Sequence, residues 1–376
     1  MLGRTTMYDE KPNFDRVVTT LKHMEPDRVP MLEAVVDYEI MSQFLGREVS
    51  DSDIESQVEF WTKAGYDHIP LTVGMMQPGK VTENSAISKF LRDVVLRDTV
   101  DQQKNQAWNL ERRSQGASSA IIVNESDLDS FPWEQAARDL DFSKFYTVQK
   151  YLPENMKIIA MSGKIFTLTW MLMGFENFGI NLAINPGFVE QLFARVADIQ
   201  YKALSEIVKI PNVAAVWAVD DLAFKTGPMI SPKMFRQYVF PWYKKFGEIC
   251  RENNLYFFFH SDGVVWQLIE DFIAAGVDAL HPIDPTCMDI VEVKKKYGDR
   301  LTLIGNVSNE MLMNGTPTDI ANRTRELIST LAPGGGYCLS SGNSVPDWAN
   351  FENYKAMIET AKRYGSYPIR VGQEAL

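Results

Sequence analysis

Short apolar runs alternate with amphipathic segments along most of this chain. The runs are mostly continuously apolar, which is typical of parallel strands covered on both faces. Between them, segments such as Pro186–Val208 and Pro232–Asn253 repeat apolar residues at helical spacing, and Ser231 is placed to cap the second of these. The eight runs predicted as strands are Met31–Val36, His68–Val73, Lys157–Met161, Val213–Val219, Leu255–Phe259, Val277–Leu280, Leu301–Ile304 and Tyr337–Leu339.

Eight strands in alternation with helices predict an α/β fold of the (β/α)8 TIM-barrel class, in one domain over residues 1–376. The alternative is a doubly wound open sheet, which usually carries an early GxGxxG turn that this chain lacks. A helix at Phe14–His23 predicts an N-terminal helical extension. Residues 74–151 are too many for a simple connection and predict an insertion after the second strand, with a strand pair at Asn105–Arg112 and Ala120–Val123.

Charge and composition exclude several classes of protein. The 376 residues are 45% hydrophobic and carry a net charge of −11, so the surface repels phosphate backbones and anionic lipid. We therefore expect no nucleic-acid partner and no membrane partner. Three widely spaced cysteines without a CxxC pair fit a reducing cytoplasm, and Met1–Asp9 lacks the apolar core of a signal peptide.

Polar side chains cluster where the predicted strands end. In a barrel these carboxyl ends form the site, and His260 follows the apolar run at Leu255–Phe259 directly. Two of the four histidines in the chain, His260 and His281, stand at such ends. The other polar residues at strand ends are Glu33, Asp37, Ser162, Lys164, Asp220, Asp221, Ser261, Asp262, Asp284, Asn306, Ser308, Ser340, Ser341 and Asn343.

These residues are compatible with two chemistries. His260 with Asp221, Asp262 or Asp284 can hold a divalent metal, because imidazole and carboxylate are ordinary zinc ligands. Alternatively, His260 and a neighbouring aspartate form an acid–base pair. A purely structural reading also stands, in which one member of the Asp220–Asp221 pair caps a helix and His260 is a hydrogen-bonded wall of the pocket.

The surroundings of this polar set are apolar and aromatic. Trp170, Trp217 and Phe224 flank the same loops. An apolar pocket with a few convergent polar groups is the usual form of a small-molecule site. We expect these aromatic residues to contact substrate, together with the polar residues at neighbouring strand ends; barrel packing is the alternative. The polar residues expected to contact substrate are Glu33, His281, Asn306 and Asn343.

Several stretches together resemble one known family, the uroporphyrinogen decarboxylase superfamily, from about Phe14 to Tyr364. The resemblance implies a (β/α)8 barrel and one of two activities: decarboxylation of a porphyrinogen without a cofactor, or methyl transfer to or from a corrinoid protein, often with zinc. The stretches that carry it are Asp220-Asp221-Leu222, Ile230-Ser231-Pro232, His260-Ser261-Asp262-Gly263, Gly305-Asn306, Asn314-Gly315-Thr316, Ser340–Pro346 and Phe351-Glu352-Asn353.

Two departures from the family pattern narrow this choice. The decarboxylases carry an arginine-rich segment after the first strand, whereas Leu32–Asp37 has no arginine and is acidic. The thiol-using methyltransferases carry a His-x-Cys and a later Cys as zinc ligands. Here His260 matches the histidine, Asp262 stands at the first cysteine and Asn343 falls near the second, which argues against a coenzyme thiol as substrate.

The resemblance therefore favours the branch that demethylates methoxylated compounds. We expect a methyltransferase that moves a methyl group from a small donor, such as an aromatic methyl ether, to Co(I) of a separate corrinoid protein. His260, Asp221 and Asp262 are its expected catalytic residues; with Asp284 they are also the expected ligands of a zinc ion. A decarboxylase of a small or tetrapyrrole-type acid and a non-catalytic corrinoid- or tetrapyrrole-binding barrel are the alternatives. A homodimer is compatible with the sequence.

Overall fold

The structure is a computed structural model that describes residues 11–73 and 120–369. The predicted strand at Asn105–Arg112 and most of the predicted insertion lie outside the described residues. Among the helices that the structure describes, none is long and apolar enough to cross a membrane.

Parallel strands form the centre of the fold. The strands are β1 (His68–Thr72), β2 (Lys157–Ser162), β3 (Val213–Val219), β4 (Ala223–Phe224), β5 (Gly227–Pro228), β6 (Tyr256–His260), β7 (Ala279–His281), β8 (Thr302–Ile304) and β9 (Tyr337–Cys338). Seven of them make one sheet in the order β1-β2-β3-β6-β7-β8-β9, and the short strands β4 and β5 form an antiparallel hairpin after β3.

The first predicted strand completes the ring without forming a regular strand. Met31 makes a parallel bridge with Leu339, beyond β9, and Val36 makes one with Val345. On the other side, the His68 ring on β1 lies 3.0 Å from the Glu33 carbonyl oxygen through its Nε2. The predicted (β/α)8 barrel is therefore confirmed, with its first strand reduced to isolated bridges.

Helices cover the outside of this barrel and use the capping residues that the sequence offers. For example, Thr316 and Asp319 form a capping box at the start of the helix Pro317–Leu331. The helices are α1 (Asp15–Leu21), α2 (Tyr38–Leu45), α3 (Ile54–Ala64), α4 (Glu125–Ser130), α5 (Trp133–Arg138), α6 (Ser143–Thr147), α7 (Phe166–Met173), α8 (Phe175–Ile184), α9 (Pro186–Ile207), α10 (Pro232–Tyr238), α11 (Phe240–Glu252), α12 (Ile269–Ala274), α13 (Ile290–Tyr297), α14 (Asn309–Asn314), α15 (Pro317–Leu331) and α16 (Phe351–Tyr364).

Two local predictions were wrong. The segment Pro232–Asn253 is two helices, α10 and α11, because Pro241 has no N–H to donate and disfavours helical continuity around it. Ser231 does cap the first of them, accepting from the Met234 N–H at 3.2 Å. The segment Ala120–Val123 is not a strand, since the N–H groups of its two isoleucines both donate to the carbonyl of Leu172.

Helix α1 is the predicted N-terminal extension, and it closes the amino end of the barrel. Phe14, just before this helix, and Val17 on it pack into one cluster with Trp217 and Phe258 from the barrel interior. Buried ion pairs anchor the same end: Asp67, just before β1, accepts from Arg16 at 3.0 Å and Arg28 at 2.8 Å. The polar groups at the carboxyl ends of the strands are thus the ones left to face a ligand.

Candidate functional site

Three neighbouring strands bring the central residues of the site to the same level. In the parallel register Val219 of β3 pairs with His260 of β6, and His260 pairs with His281 of β7. Asp221 follows β3 by two residues, and Asp262 follows β6 by two. The two histidines are therefore the last residues of their strands, one position later than the sequence pattern had suggested.

His260 lies between two carboxylates. Its Nε2 is 3.5 Å from Asp221 Oδ1 and 3.8 Å from Asp262 Oδ1, and the histidine is only 5% exposed. One ligand atom from each of the three residues lies within 4.8 Å of the others. The structure therefore brings together all three of the predicted catalytic residues.

The pKa values of Asp221 and Asp262 are shifted in opposite directions. Burial alone would raise the pKa of Asp221, but the hydrogen bond and charge of His260 outweigh it and lower that pKa to about 2. Burial and the charge of Asp221 raise the pKa of Asp262 to about 7. For His260, burial disfavours the cation, yet the pairing with both aspartates raises its pKa. At neutral pH the cluster thus combines an ionised Asp221 with two groups that can hold a proton.

Asp220, the neighbour of Asp221, faces the opposite way and supports a helix. It is fully buried, and its carboxylate accepts from the backbone N–H groups of Ile165 at 2.9 Å, Phe166 at 2.6 Å and Thr167 at 2.8 Å, at the start of α7. The Tyr243 hydroxyl on α11 donates to the same carboxylate. One aspartate of the pair therefore caps a helix, and the other is left for the site.

The loops after β3 and β6 are locked to each other. The Leu222 N–H donates to Ser261 Oγ at 2.9 Å, and the Asp262 N–H donates to Asp221 Oδ1 at 3.0 Å. Gly263 has a φ of +82°, and a Cβ at this position would lie 2.6 Å from the carbonyl oxygen of Ala223. Only glycine meets both requirements here, so the His260–Gly263 turn is held in one conformation against the β4–β5 hairpin.

A second histidine supports the first from behind. The Nδ1 atoms of His260 and His281 are 2.7 Å apart, and the Nε2 of His281 is 3.3 Å from Ser340 Oγ. Burial and the charge of His260 hold the pKa of His281 well below its usual value, so this ring is neutral. His281 also stands edge-to-face with Trp217, whose ring centroid is 5.2 Å away.

The contacts from His260 through His281 and Ser340 end at Glu33. Its Oε1 accepts from Ser340 Oγ at 3.2 Å and Ser341 Oγ at 2.8 Å, and its Oε2 accepts from the Ser341 N–H at 2.9 Å. Burial raises the pKa of this carboxyl to about 7 despite these donors. Glu33 was expected to contact substrate, but its side chain is wholly buried behind His281.

The predicted aromatic residues occupy two different places. Trp217 is wholly buried inside the barrel beneath His281. Trp170 on α7 is 8% exposed and packs edge-to-face on Phe175, which in turn packs edge-to-face on Phe224 at the β4–β5 hairpin. In this second group Trp170 and Phe175 follow β2, and Phe224 follows β3 three residues after Asp221, so the group connects the loops of two neighbouring strand ends.

The remaining predicted residues also take definite positions. Asn343 Nδ2 donates to Asp262 Oδ2 at 2.5 Å, which leaves Asp262 Oδ1 to face His260. Asn306 is buried and donates to the Ile283 carbonyl at 2.6 Å. Asp284 lies outside the three-residue cluster: its carboxylate accepts from the backbone and the hydroxyl of Thr286, and from the Gly263 N–H at 3.3 Å.

Two supporting residues were missed from the sequence. Tyr243, which contacts Asp220, lies on an amphipathic helix and looks like any core aromatic. Gln200 on α9 accepts from the Gly163 N–H at 3.0 Å and so holds the loop after β2. Gln200 did offer a signal, because it interrupts the apolar face four residues from both Val196 and Leu204.

The donor set of the cluster fits a divalent metal. One imidazole nitrogen and two carboxylates resemble the three protein ligands of catalytic zinc sites, which keep a further position open. Asp262 Oδ1 is buried and has no hydrogen-bond partner among the residues that the structure describes. These three residues could hold such an ion, and the cysteines, of which Cys250 and Cys338 are buried, do not take part.

Comparisons with known proteins agree with this architecture. Among solved structures, a methyltransferase from Methanosarcina mazei covers 93% of this chain and 98% of its own, with a TM-score of 0.61 at 16% identity, which shows a shared fold. The uroporphyrinogen decarboxylase of Pseudoalteromonas atlantica is 23% identical over 262 residues, 66% of this chain and 71% of that protein. That of Coxiella burnetii is 25% identical over 144 residues, 37% of this chain and 38% of that protein.

A family model described as uroporphyrinogen decarboxylase (URO-D) matches residues 142–364. The match covers more than half of the chain and includes the helix cap at Asp220, the cluster around His260 and the Ser340–Ser341 pair. The chain therefore belongs to the uroporphyrinogen decarboxylase family.

Proposed function

We propose that this protein is a methyltransferase that takes a methyl group from a methoxylated aromatic donor and passes it to Co(I) of a separate corrinoid protein. The observation that carries the proposal is the position of His260 Nε2, between Asp221 and Asp262 at the carboxyl end of the barrel. A proton donor in this place suits an ether, because an alkoxide or phenoxide leaves poorly unless its oxygen is protonated or polarised.

His260, Asp221 and Asp262 each have a separate role in ether cleavage. As the bond from the methyl carbon to the ether oxygen breaks, the oxygen takes the bonding electron pair and His260 supplies a proton from Nε2. Asp221, ionised because its pKa is lowered to about 2, keeps the imidazole charged or polarised toward donation. Asp262, held by Asn343, orients the ring from its second side. The electron pair of Co(I) forms the new bond to the methyl carbon and gives methyl–Co(III); the corrinoid is a substrate carried by the partner protein.

A zinc ion would change only the agent that activates the oxygen. If held by His260, Asp221 and Asp262, it would supply a Lewis acid in place of the proton. Elemental analysis of the purified protein beside His260→Ala distinguishes these versions. Stoichiometric zinc that is lost in the variant supports the metal version, and no metal in either protein leaves His260 as the acid.

The aromatic surface supports an aromatic donor. Trp170, Phe175 and Phe224 form a chain of edge-to-face contacts beside the hairpin that follows Asp221. Aromatic rings bind well against such surfaces, whereas a substrate with many carboxylates needs cations. The acidic side chains of Asp221, Asp262 and Asp284 near His260 therefore disfavour a porphyrinogen.

Decarboxylation is the alternative that the names of the 23–25% identical relatives favour. It differs in a measurable product, since it releases carbon dioxide without cobalt. A non-catalytic barrel that binds corrinoid or tetrapyrrole is the third possibility, and it tolerates loss of His260 with its affinity retained.

The proposal is tested by incubating the protein with Co(I) cobalamin and a panel of phenyl methyl ethers while the cobalt absorbance and the released phenol are followed. We expect methyl–cobalt and phenol in equal amounts, and a loss of about 100-fold or more in His260→Gln. His23→Gln is the matched control, because it removes a histidine remote from the site. Equal turnover of His260→Gln and the control would contradict the proposal.

A further inference from the structure

A continuous chain of contacts links the buried carboxyl of Glu33 to the ring of His260. Glu33 Oε1 is 3.2 Å from Ser340 Oγ, which is 3.3 Å from His281 Nε2. The Nδ1 of His281 is 2.7 Å from the Nδ1 of His260. Every group in this chain can both donate and accept a proton, and His260 then presents its Nε2 to the site aspartates.

The protonation state of Glu33 decides the direction of every hydrogen bond in the chain. When Glu33 is ionised it can only accept, so Ser340 donates to it and must accept from His281 Nε2–H. His281 Nδ1 then carries a lone pair and accepts from His260 Nδ1–H. In this arrangement His260 can be neutral with a lone pair on Nε2, or it can be the imidazolium cation.

Protonation of Glu33 on the oxygen that faces Ser340 reverses the chain. Glu33 then donates to Ser340 Oγ, and Ser340 donates to His281 Nε2. His281 now carries its hydrogen on Nδ1 and donates to His260 Nδ1, so His260 keeps its hydrogen on Nε2. The two arrangements differ in the tautomer of His281, which heavy-atom positions do not show and which therefore needs a measurement of its own.

We propose that Glu33 is a positioning residue whose ionisation, relayed through Ser340 and His281, selects which ring nitrogen of His260 carries the proton. As an account of catalysis the inference rests on the proposed function. The buried Glu33 carboxyl then supplies the proton that replaces the one given up by His260, without contacting the substrate.

The surroundings of Glu33 permit a change of protonation near neutral pH. Burial raises its pKa to about 7, while the donors on Ser340 and Ser341 oppose that shift. From β1, the ring of His68 contacts the Glu33 carbonyl oxygen rather than its carboxyl. From α16, the charge of Glu33 contributes to the raised pKa of Tyr354. A backbone hydrogen bond at Ser341 also acts on His281.

The relay balances for the proposed reaction. His260 gives its Nε2 proton to the leaving oxygen, and its Nδ1 takes a proton from His281 Nδ1. His281 Nε2 takes the Ser340 hydroxyl proton, and Ser340 takes the Glu33 carboxyl proton. The products are a neutral phenol, a carboxylate at Glu33 and two neutral imidazoles. No imidazolate forms, and the step needs no further reactant.

The test is the tautomer of His281, read by nitrogen-15 NMR of the full-length protein labelled at histidine and freed of metal with a chelator. The chain has four histidines, so His23→Gln and His68→Gln variants suffice to remove the other two from the comparison with His260. From about pH 5.5 to about pH 8.5, on either side of the Glu33 pKa, we expect His281 to change from the Nδ1–H to the Nε2–H tautomer.

Matched variants separate the relay from a general effect of charge. Glu33→Gln keeps the shape but cannot titrate, and Ser340→Ala breaks the chain while Glu33 remains; both should hold His281 in one tautomer at every pH. Asp37→Asn removes one negative charge four residues from Glu33, at the cap of α2, and should keep the switch. A wild-type tautomer that does not change with pH, or a switch that persists in Glu33→Gln, overturns the inference.

A kinetic arm connects the switch to catalysis. In Glu33→Gln we expect kcat to fall about 10- to 100-fold with KM unchanged, as for other partners that act through a catalytic residue. If the switch is present and Glu33→Gln turns over normally, the relay does not serve the reaction. If the wild-type protein transfers no methyl group, the proposed function fails, while the tautomer measurement remains a separate result.

Discussion

Asp220 and Asp221 are adjacent in the chain, yet their removal should affect different properties. In Asp220→Ala, three backbone N–H groups at the start of α7 lose their acceptor in a buried environment, whereas the Tyr243 hydroxyl still has the Gly163 carbonyl 3.0 Å away. At about 2 kcal/mol for each unsatisfied donor, this costs about 6 kcal/mol. The pKa of Asp220 is raised from 3.8 to about 6, so removing the buried charge returns about 3 kcal/mol at neutral pH. The expected net loss is about 3 kcal/mol.

The matched variant Asp221→Ala should behave differently. Its carboxylate accepts from the Asp262 N–H and pairs with His260, and its side chain remains 17% exposed. We expect a loss of about 1 kcal/mol in stability, because water can replace part of these contacts. Turnover, by contrast, should fall by about tenfold or more, because His260 loses the partner that raises its pKa.

The assay is denaturant unfolding at low temperature, followed by intrinsic fluorescence, beside turnover of the folded fraction. Tyr243→Phe covers the case in which Asp220→Ala does not fold: it removes one donor to Asp220 and should cost about 1–2 kcal/mol with turnover retained. If Asp220→Ala were as stable as the wild-type protein and as inactive as Asp221→Ala, the assignment of Asp220 to the helix cap would be wrong.

Three further predictions concern other parts of the site. Because the pKa of Glu33 is about 7 in the fold and 4.5 as an isolated group, its contribution to stability is fully present below pH 4.5 and is lost as pH rises to about 7. The stability of wild type relative to Glu33→Gln should therefore fall by about 3 kcal/mol over this interval, measured by unfolding at several pH values. Gly263→Ala should cost about 2 kcal/mol or more, because a Cβ would meet the Ala223 carbonyl at a φ of +82°; unchanged stability and KM would contradict the tight turn. Trp170→Ala should raise KM for a methoxy-aromatic donor with little change in kcat, and an unchanged KM would show that the ring lies away from the substrate.

The sequence was most informative where local chemistry and burial agree. Continuous apolar runs located the parallel strands, and the Val213–Val219 strand has the predicted bounds. Met31–Val36 has the same apolar pattern but makes only bridges. The break between α10 and α11 was visible in Pro241, although the apolar spacing across it suggested a single helix.

The site was predictable as a set of strand ends but not as a set of contacts. One member of the Asp220–Asp221 pair was expected to cap a helix, and Asp220 does so. The capped helix, α7, precedes it by some fifty residues, and no local pattern could reveal that partner. In the same way, Glu33 and His281 were expected to contact substrate. In the structure both side chains are buried, and Glu33 is linked to His260 through Ser340 and His281.

The most direct test of the central claim uses one donor labelled at two positions. A methoxybenzoate that carries one isotope in its methoxy carbon and another in its carboxyl carbon is incubated with the protein and Co(I) cobalamin. Methyl transfer with His260 as the acid predicts that the methoxy label moves to cobalt, that the carboxyl label stays on the ring, and that His260→Gln abolishes the transfer. Release of the carboxyl label as carbon dioxide, with or without cobalt, while the methoxy label stays in place would contradict the account.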